Sequence, residues 1–224
     1  MTEKKKQKIY VFDTTLRDGA QSADISFSVR DKLRIVERFD DIGIDYIEVG
    51  FPASNPKDEE LFSELKKRKY RNSKIVAFGR TKYKDTSAGN DANLRVLLDS
   101  GADTMCIFGK SSTLHVEKVL ETTLENNLEM IFDSVQYLKA NSPEVIYDAE
   151  HFFDGYKLDR DYAVKTLKAA EDAKADFIVL CDTNGGCLPG EILEILKDIV
   201  MQVNIHLGLH CHNDSGCAVA NTVI

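Results

Sequence analysis

Short runs of apolar and β-branched residues recur at regular intervals along the chain. Each run has the length and composition typical of a strand that is buried on both faces. The pattern therefore predicts seven strands. They are Ile9–Phe12, Tyr46–Val49, Ile75–Phe78, Thr104–Phe108, Val145–Tyr147, Phe177–Leu180 and Ile205–Leu209.

The polar stretches between these runs have the periodicity of helices that bury one face. Several of them also begin with a helix-start signal. Ser28 and Asp31 form a capping-box pattern, Asn55 precedes a proline, and Asp159 precedes the next-to-last helical stretch. The longest stretch carries apolar residues at intervals of three and four from Leu124 to Leu138. The pattern therefore predicts a helix after most strands.

Strands that alternate with helices indicate repeated βα units and a parallel sheet. Seven such units at this spacing predict an α/β fold of the (β/α)₈ TIM barrel class, with the eighth βα unit missing, since such barrels need about 250 residues. The alternative is an open doubly wound sheet, but no glycine-rich phosphate loop follows the first strand. We predict a disordered polar tail over residues 1–8 and one barrel domain over residues 9–224, truncated before strand 8.

The chain has 224 residues, 43% hydrophobic and 29% charged, with a net charge of −8. This is the composition of an ordinary globular domain, and its acidity argues against a nucleic-acid surface or an anionic membrane as partner. No apolar run is long enough to span a membrane, and the lysine-rich start lacks a signal-peptide core. Five cysteines without a C-x-x-C pattern indicate reduced thiols, so we expect a cytoplasmic protein.

Polar and ionisable residues follow nearly every predicted strand, where the reactive groups of a parallel barrel lie. His210 and His212 are two residues apart at the end of the seventh strand, so both side chains point to the same side. Two imidazoles with a carboxylate are a common site for a divalent metal. Asp18, after the first strand, supplies that carboxylate, and the three residues are therefore our predicted metal ligands.

Three further charged residues complete the candidate site. Arg17 has a permanent charge and is suited to hold an oxyanion when a carbonyl is attacked, although a surface ion pair with Asp18 is the alternative. Glu48 and Glu150 are carboxylates that can move a proton or hold another group in place. We interpret the remaining histidines, His115, His151 and His206, as ordinary residues outside the metal site.

Two motifs far apart in the chain, DTTLRDGAQ at 13–21 and HCHND at 210–214, resemble a known family. These are the metal-dependent aldolase and Claisen-condensation barrels with an Asp-Arg-Glu signature. The family includes 2-isopropylmalate and homocitrate synthases and hydroxymethylglutaryl-CoA lyase. Further stretches, among them YDAEHFFDGYK at 147–157 and CDTNGG at 181–186, are similar to its citramalate synthase branch.

The resemblance implies a role for each matched residue. Asp18, His210 and His212 match the ligands of a divalent cation (Zn, Mn or Mg), and Arg17 matches the arginine that stabilises the oxyanion. Glu48 matches the signature glutamate, and Glu150 a carboxylate near the reacting carbons. Thr183 matches the threonine that receives the carboxylate of a 2-oxoacid, and Gln21 lies in the Arg17 loop, where it would line the site.

The implied activity is that of an acyltransferase. Acetyl-CoA, the co-substrate, condenses with pyruvate, a 2-oxoacid, to give citramalate, a step of isoleucine biosynthesis. The alternatives are 2-isopropylmalate or homocitrate synthesis, a metal-dependent carbon–carbon lyase, and a truncated barrel that binds metal without turnover. The implied enzyme is a cytoplasmic homodimer with small-molecule partners, and with neither a nucleic acid nor a membrane as partner.

Overall fold

The computed structural model describes residues 8–224, so nearly all of the predicted tail lies outside the described residues. Within that range, seven strands alternate with helices along the chain. The strands are β1 (Phe12–Asp13), β2 (Tyr46–Gly50), β3 (Lys74–Arg80), β4 (Thr104–Lys110), β5 (Glu144–Glu150), β6 (Phe177–Asp182) and β7 (His206–Cys211).

The main helices lie in the intervals between the strands, as the periodicity predicts, and one more follows β7. They are α1 (Val29–Ile42), α2 (Pro56–Leu65), α3 (Ala92–Asp99), α4 (Thr113–His115), α5 (Leu124–Asn141), α6 (Phe152–Leu158), α7 (Arg160–Asp172), α8 (Pro189–Gln202) and α9 (Ala218–Val223). A π-helical segment, Val116–Leu120, continues directly from α4. No helix within residues 8–224 is long and apolar enough to cross a membrane.

The predicted helix starts are confirmed in atomic detail. The Ser28 side chain accepts from the Asp31 amide while the Asp31 carboxylate accepts from the Ser28 amide, which completes the capping box of α1. Asn55 and Asp159 cap α2 and α7 in the same way, each by accepting a backbone N–H three residues further along. These caps satisfy amides that have no partner inside a helix.

The chain divides into two compact units. The first unit consists of residues 8–78 with 100–103, and the second of residues 79–99 with 104–224. In the first unit β1, β2 and β3 pair in parallel, and in the second β4, β5, β6 and β7 do the same. The buried strand residues of each unit, such as Ile47 and Ile146, form its core with apolar helix residues.

The first strand differs from its predicted bounds. β1 covers only Phe12 and Asp13, and Ile9 is 85% exposed. Val11 is hydrogen-bonded at its N–H to the Asp45 carboxylate and at its carbonyl to the Tyr46 amide. A side chain therefore takes the place of a strand partner before Phe12, which a pattern of apolar residues does not show.

Candidate functional site

The loop after β1 holds Arg17 and Asp18 in a tight turn in the first unit. The Thr14 carbonyl accepts from three amides, those of Arg17, Asp18 and Gly19, and the fully buried Leu16 anchors the loop in the core. The Arg17 and Asp18 side chains remain partly accessible, at 11% and 18%. The loop therefore holds a cation and a carboxylate at the carboxyl end of a strand.

Arg17 is held on two sides by neighbours in the same unit. Its Nε donates to Glu48 Oε1 at 2.6 Å, and Glu48 is only 1% exposed. The guanidinium lies 3.7 Å from the centroid of the Phe78 ring, a cation–π contact. Asp18 lies at 3.6 Å from Arg17 Nη1. Glu48 and Phe78 thus fix the plane of the guanidinium, which is what a preorganised oxyanion contact requires.

A cavity of about 350 Å³ lies beside Arg17 in the first unit. Gln21 lines it from the Arg17 loop, and Lys32 and Lys57 line it from α1 and α2. Lys32 is buried, and its Nζ donates to Asp58 Oδ1 at 2.9 Å and to the Val49 carbonyl at 3.0 Å. The cavity therefore has cationic side chains, an amide and the permanently charged Arg17 on its wall.

In the second unit, Glu150 lies inside β5 and forms an ion pair with Lys110, which is its ladder partner on β4. An opposite-charge pair directly across two strands stabilises the pairing and holds both side chains. Asp148, two residues earlier on the same face, accepts from the Cys181 thiol at 2.8 Å. Burial and the neighbouring Asp148 raise the pKa of Cys181, so this thiol stays protonated.

Thr183 lies in the loop after β6, where its hydroxyl oxygen accepts from the His151 amide at 2.8 Å. The same loop packs closely on the segment after β7. Gly185 has a left-handed φ of 60°, and a Cβ there would lie 2.7 Å from Asp214 Oδ2 and 2.8 Å from the His212 carbonyl. The glycine therefore allows the two loops to meet.

His210 belongs to β7 and His212 follows the strand by one residue, and both are half-buried. Their rings are stacked, with centroids 4.9 Å apart and an angle of 21° between the planes. Next to this histidine pair lies a cluster of potential metal-ligating side chains, Asp148, Cys181 and His210. Their nitrogen, oxygen and sulfur atoms lie within 4.8 Å of one another. The second unit therefore brings imidazole and carboxylate donors together, and these donor types fit a divalent cation.

The structure groups the predicted residues by unit. Arg17, Asp18, Gln21 and Glu48 belong to the first, and Glu150, Thr183, His210 and His212 to the second. Prediction from sequence missed Phe78 and Lys110, which hold Arg17 and Glu150. Both lie near the carboxyl end of a strand, the position that identified the other site residues. The site assignments themselves stay predictions.

Comparison with known proteins gives concordant results. The HMGL-like family model matches residues 8–224. The chain is 56% identical over 215 residues to an (R)-citramalate synthase of Geobacter sulfurreducens and 55% identical over 218 residues to one of Sulfolobus acidocaldarius. These matches cover 96% and 97% of this chain, but only 41% and 42% of the relatives. The chain thus spans about two-fifths of the length of these curated relatives.

A solved structure gives the same fold. The HMG-CoA lyase of Bacillus subtilis superimposes with a TM-score of 0.78 over 96% of this chain and 72% of its own, at 20% identity. At that identity the similarity is one of fold. Together with the family match, it confirms the predicted barrel class, represented in residues 8–224 by seven strands.

Proposed function

The chain belongs to the HMGL-like family, and on that premise we propose that it forms the barrel of an enzyme that condenses acetyl-CoA with pyruvate, after which water hydrolyses the thioester to give citramalate and free CoA. Two (R)-citramalate synthases at 55–56% identity over nearly the whole chain support this choice of reaction. The observation in the structure that carries it is Arg17, which is clamped by Glu48 and Phe78 beside an open cavity.

We propose Asp18, His210 and His212 as the residues that would hold a divalent cation, either Zn, Mn or Mg. The stacked imidazoles at the end of β7 have the donor type that such cations take, and Asp18 adds a carboxylate. When bound, the cation supplies Lewis-acid polarisation of the ketone of the 2-oxoacid.

The chain's own residues would carry the remaining tasks. Thr183 would donate a hydrogen bond to the carboxylate of the 2-oxoacid. Glu150, which is held by Lys110, would accept the proton from the acetyl methyl group. Arg17 would stabilise the negative charge that develops on the ketone oxygen during attack, because Glu48 already fixes its orientation. Gln21 and the cavity beside Arg17 would receive the acyl-CoA.

An assay of thiol release tests this proposal. The complete protein should release free thiol from acetyl-CoA with pyruvate at a higher kcat/KM than with 2-oxoacids that have longer or branched side chains. Preference for a branched or longer 2-oxoacid would instead indicate 2-isopropylmalate or homocitrate synthesis. Cleavage of a hydroxyacyl-CoA without acetyl-CoA-dependent thiol release would indicate a lyase.

The proposal includes several properties of the complete protein. We propose that it acts in the cytoplasm, in branched-chain amino-acid biosynthesis, as a homodimer with small-molecule partners. The five free cysteines and the net charge of −8 support a reducing compartment and the lack of a nucleic-acid partner. Light scattering of the complete protein measures the oligomeric state.

A further inference from the structure

Two histidines outside the proposed metal site form an unusual pair in the second unit. The rings of His115 and His151 are stacked, with centroids 4.0 Å apart and 22° between their planes. The Nδ1 atoms of both rings are buried without a hydrogen-bond partner among residues 8–224. Burial and the neighbouring His151 lower the pKa of His115, so that ring is neutral at pH 7. The two rings are therefore held together by ring contact, and Asp154 Oδ2 lies 3.5 Å from His151 Nδ1 on the side of α6.

His151 has a backbone conformation that few residues other than glycine adopt. Its φ is 55° and its ψ is 33°, in the left-handed region, which is a strained conformation for a residue with a side chain. It follows Glu150 directly and precedes α6, and its carbonyl accepts from the Gly155 amide. Such a conformation persists only where the surrounding contacts hold it.

Two contacts with the segment after β4 support this conformation. One is the stack on His115. The other is the close packing of α6 against the segment after β4, since a Cβ on Gly155 would lie only 2.4 Å from the Ser111 carbonyl oxygen. His115 itself lies at the end of α4 in that same region of the chain. The end of β5 is therefore held in place by residues that follow β4.

The left-handed turn directs the His151 amide at Thr183. The amide donates to Thr183 Oγ at 2.8 Å, and the hydroxyl thereby uses one of its two acceptor positions. A threonine side chain has few accessible χ1 rotamers, so this bond fixes the oxygen as well. The hydroxyl proton does not lie in this bond and is available for donation to a ligand.

We propose that His151 is a positioning residue that presets Thr183 as a hydrogen-bond donor to the 2-oxoacid carboxylate, and that His115 supports it by stacking. This inference rests on the proposed function for the identity of the ligand. It assigns a role to two residues that make no proposed contact with substrate. It predicts that the ring of His115, and not its nitrogens, matters for binding of the 2-oxoacid.

The test compares His115→Phe with His115→Ala in the complete protein. Phenylalanine keeps an aromatic ring for His151 to stack on, so its KM for pyruvate should equal that of the wild type. Alanine removes the stack, and the KM for pyruvate should rise about fivefold to tenfold, the range for one impaired hydrogen bond. The KM for acetyl-CoA should not change, and kcat should stay within a few-fold of the wild type.

Thr183→Val provides the matching background, because it replaces the hydroxyl with a methyl group of similar size. If His115 acts through Thr183, adding His115→Ala to Thr183→Val should raise the KM for pyruvate no further. An additive effect of the two changes would overturn the proposal. So would an equal rise in KM for both substrates, or a His115→Phe variant as impaired as His115→Ala.

Hydrogen exchange of the His151 amide gives a readout that does not need activity. The amide should exchange faster in His115→Ala than in the wild type, and His115→Phe should restore its protection. Unchanged exchange in His115→Ala would overturn the positioning role. If the wild type does not condense acetyl-CoA with pyruvate, the proposed function fails, while the exchange comparison still decides whether His115 supports His151.

Discussion

The two compact units contribute to the candidate site in different chemical forms. In the first unit most of the proposed residues are charged, and two largely buried ion pairs lie at the site and its cavity. Arg17 contacts Glu48, Lys32 contacts Asp58, and all four side chains are at most 11% exposed. In the second unit the contacts are mostly hydrogen bonds and ring stacks, at the Thr183 hydroxyl and at two pairs of stacked imidazoles, beside the Glu150 ion pair.

This difference predicts how stability and ligand binding should respond to substitutions in each unit. Removal of one partner from a buried ion pair leaves an uncompensated charge, so changes in the first unit should affect folding as well as the site. Replacement of His115 or of the Thr183 hydroxyl leaves no buried charge unpaired, so such changes in the second unit should affect ligand binding while the fold is kept.

Lys32→Met should have the largest effect on stability. It leaves Asp58 buried without its ammonium partner, and we expect a loss of about 3–5 kcal/mol in the free energy of unfolding, measured by urea denaturation. Lys57→Met is the matched control, because Lys57 lines the same cavity but is exposed, and its Nζ donates to the Phe27 carbonyl rather than to a buried carboxylate. A similar stability loss in both variants would contradict the distinction between buried and exposed charge.

Arg17→Lys should have the next largest effect, and on activity rather than folding. The charge beside Glu48 is kept, but an ammonium group cannot reproduce the planar fork. We expect kcat for thiol release by the complete protein to fall by about 10²–10³-fold. A variant within a few-fold of wild type would mean that Arg17 is only a structural partner of Glu48.

His212→Ala tests the second unit. The variant should stay folded, as judged by its urea midpoint, but lose divalent cation on dialysis. Its affinity should fall by more than the roughly 10–100-fold typical of losing a residue that only supports a ligand. His206→Ala is the control, since His206 is exposed at the other end of β7. Equal metal content in the two variants, measured by elemental analysis, would exclude His212 as a ligand.

The smallest effect concerns pH. Burial lowers the pKa of His115 in the folded state, so the unfolded chain binds more protons once the pH falls below about 6.5, the usual value for histidine. Stability should therefore decrease from pH 7 to pH 5, and His115→Phe should lose less over that range. Urea unfolding of both proteins at each pH measures the difference, and identical curves would contradict the shift.

Much of the fold could be predicted because the local signals agree with the tertiary structure. The caps at Ser28, Asn55 and Asp159 use short-range hydrogen bonds that are visible as residue types at fixed spacing. The start of β1 could not be predicted, because the Val11 amide donates its hydrogen bond to the Asp45 carboxylate, which lies far along the chain. Apolar residues such as Ile9 match the pattern of a buried strand whether or not a partner strand reaches them.

The candidate site was also predicted only in part, because its local signals are visible in the sequence and its distant contacts are not. A strand-end rule identifies Arg17, Glu150, Thr183 and His210, since each follows or ends a strand. The contacts that hold these residues depend on pairs distant in sequence, such as Phe78 with Arg17. The stack of His115 on His151 is the clearest case, because neither residue has a partner pattern of its own in the sequence.

The strand order of the second unit has a consequence for synthesis of the protein. Each strand from β5 to β7 pairs with the strand that left the ribosome immediately before it. A newly made strand thus finds its partner edge already present, and only the intervening helical segment has to be closed on it. After β4 and β5 have paired, the unit can grow one strand at a time during translation, and neither β6 nor β7 has to wait for a later segment of the chain to find a partner.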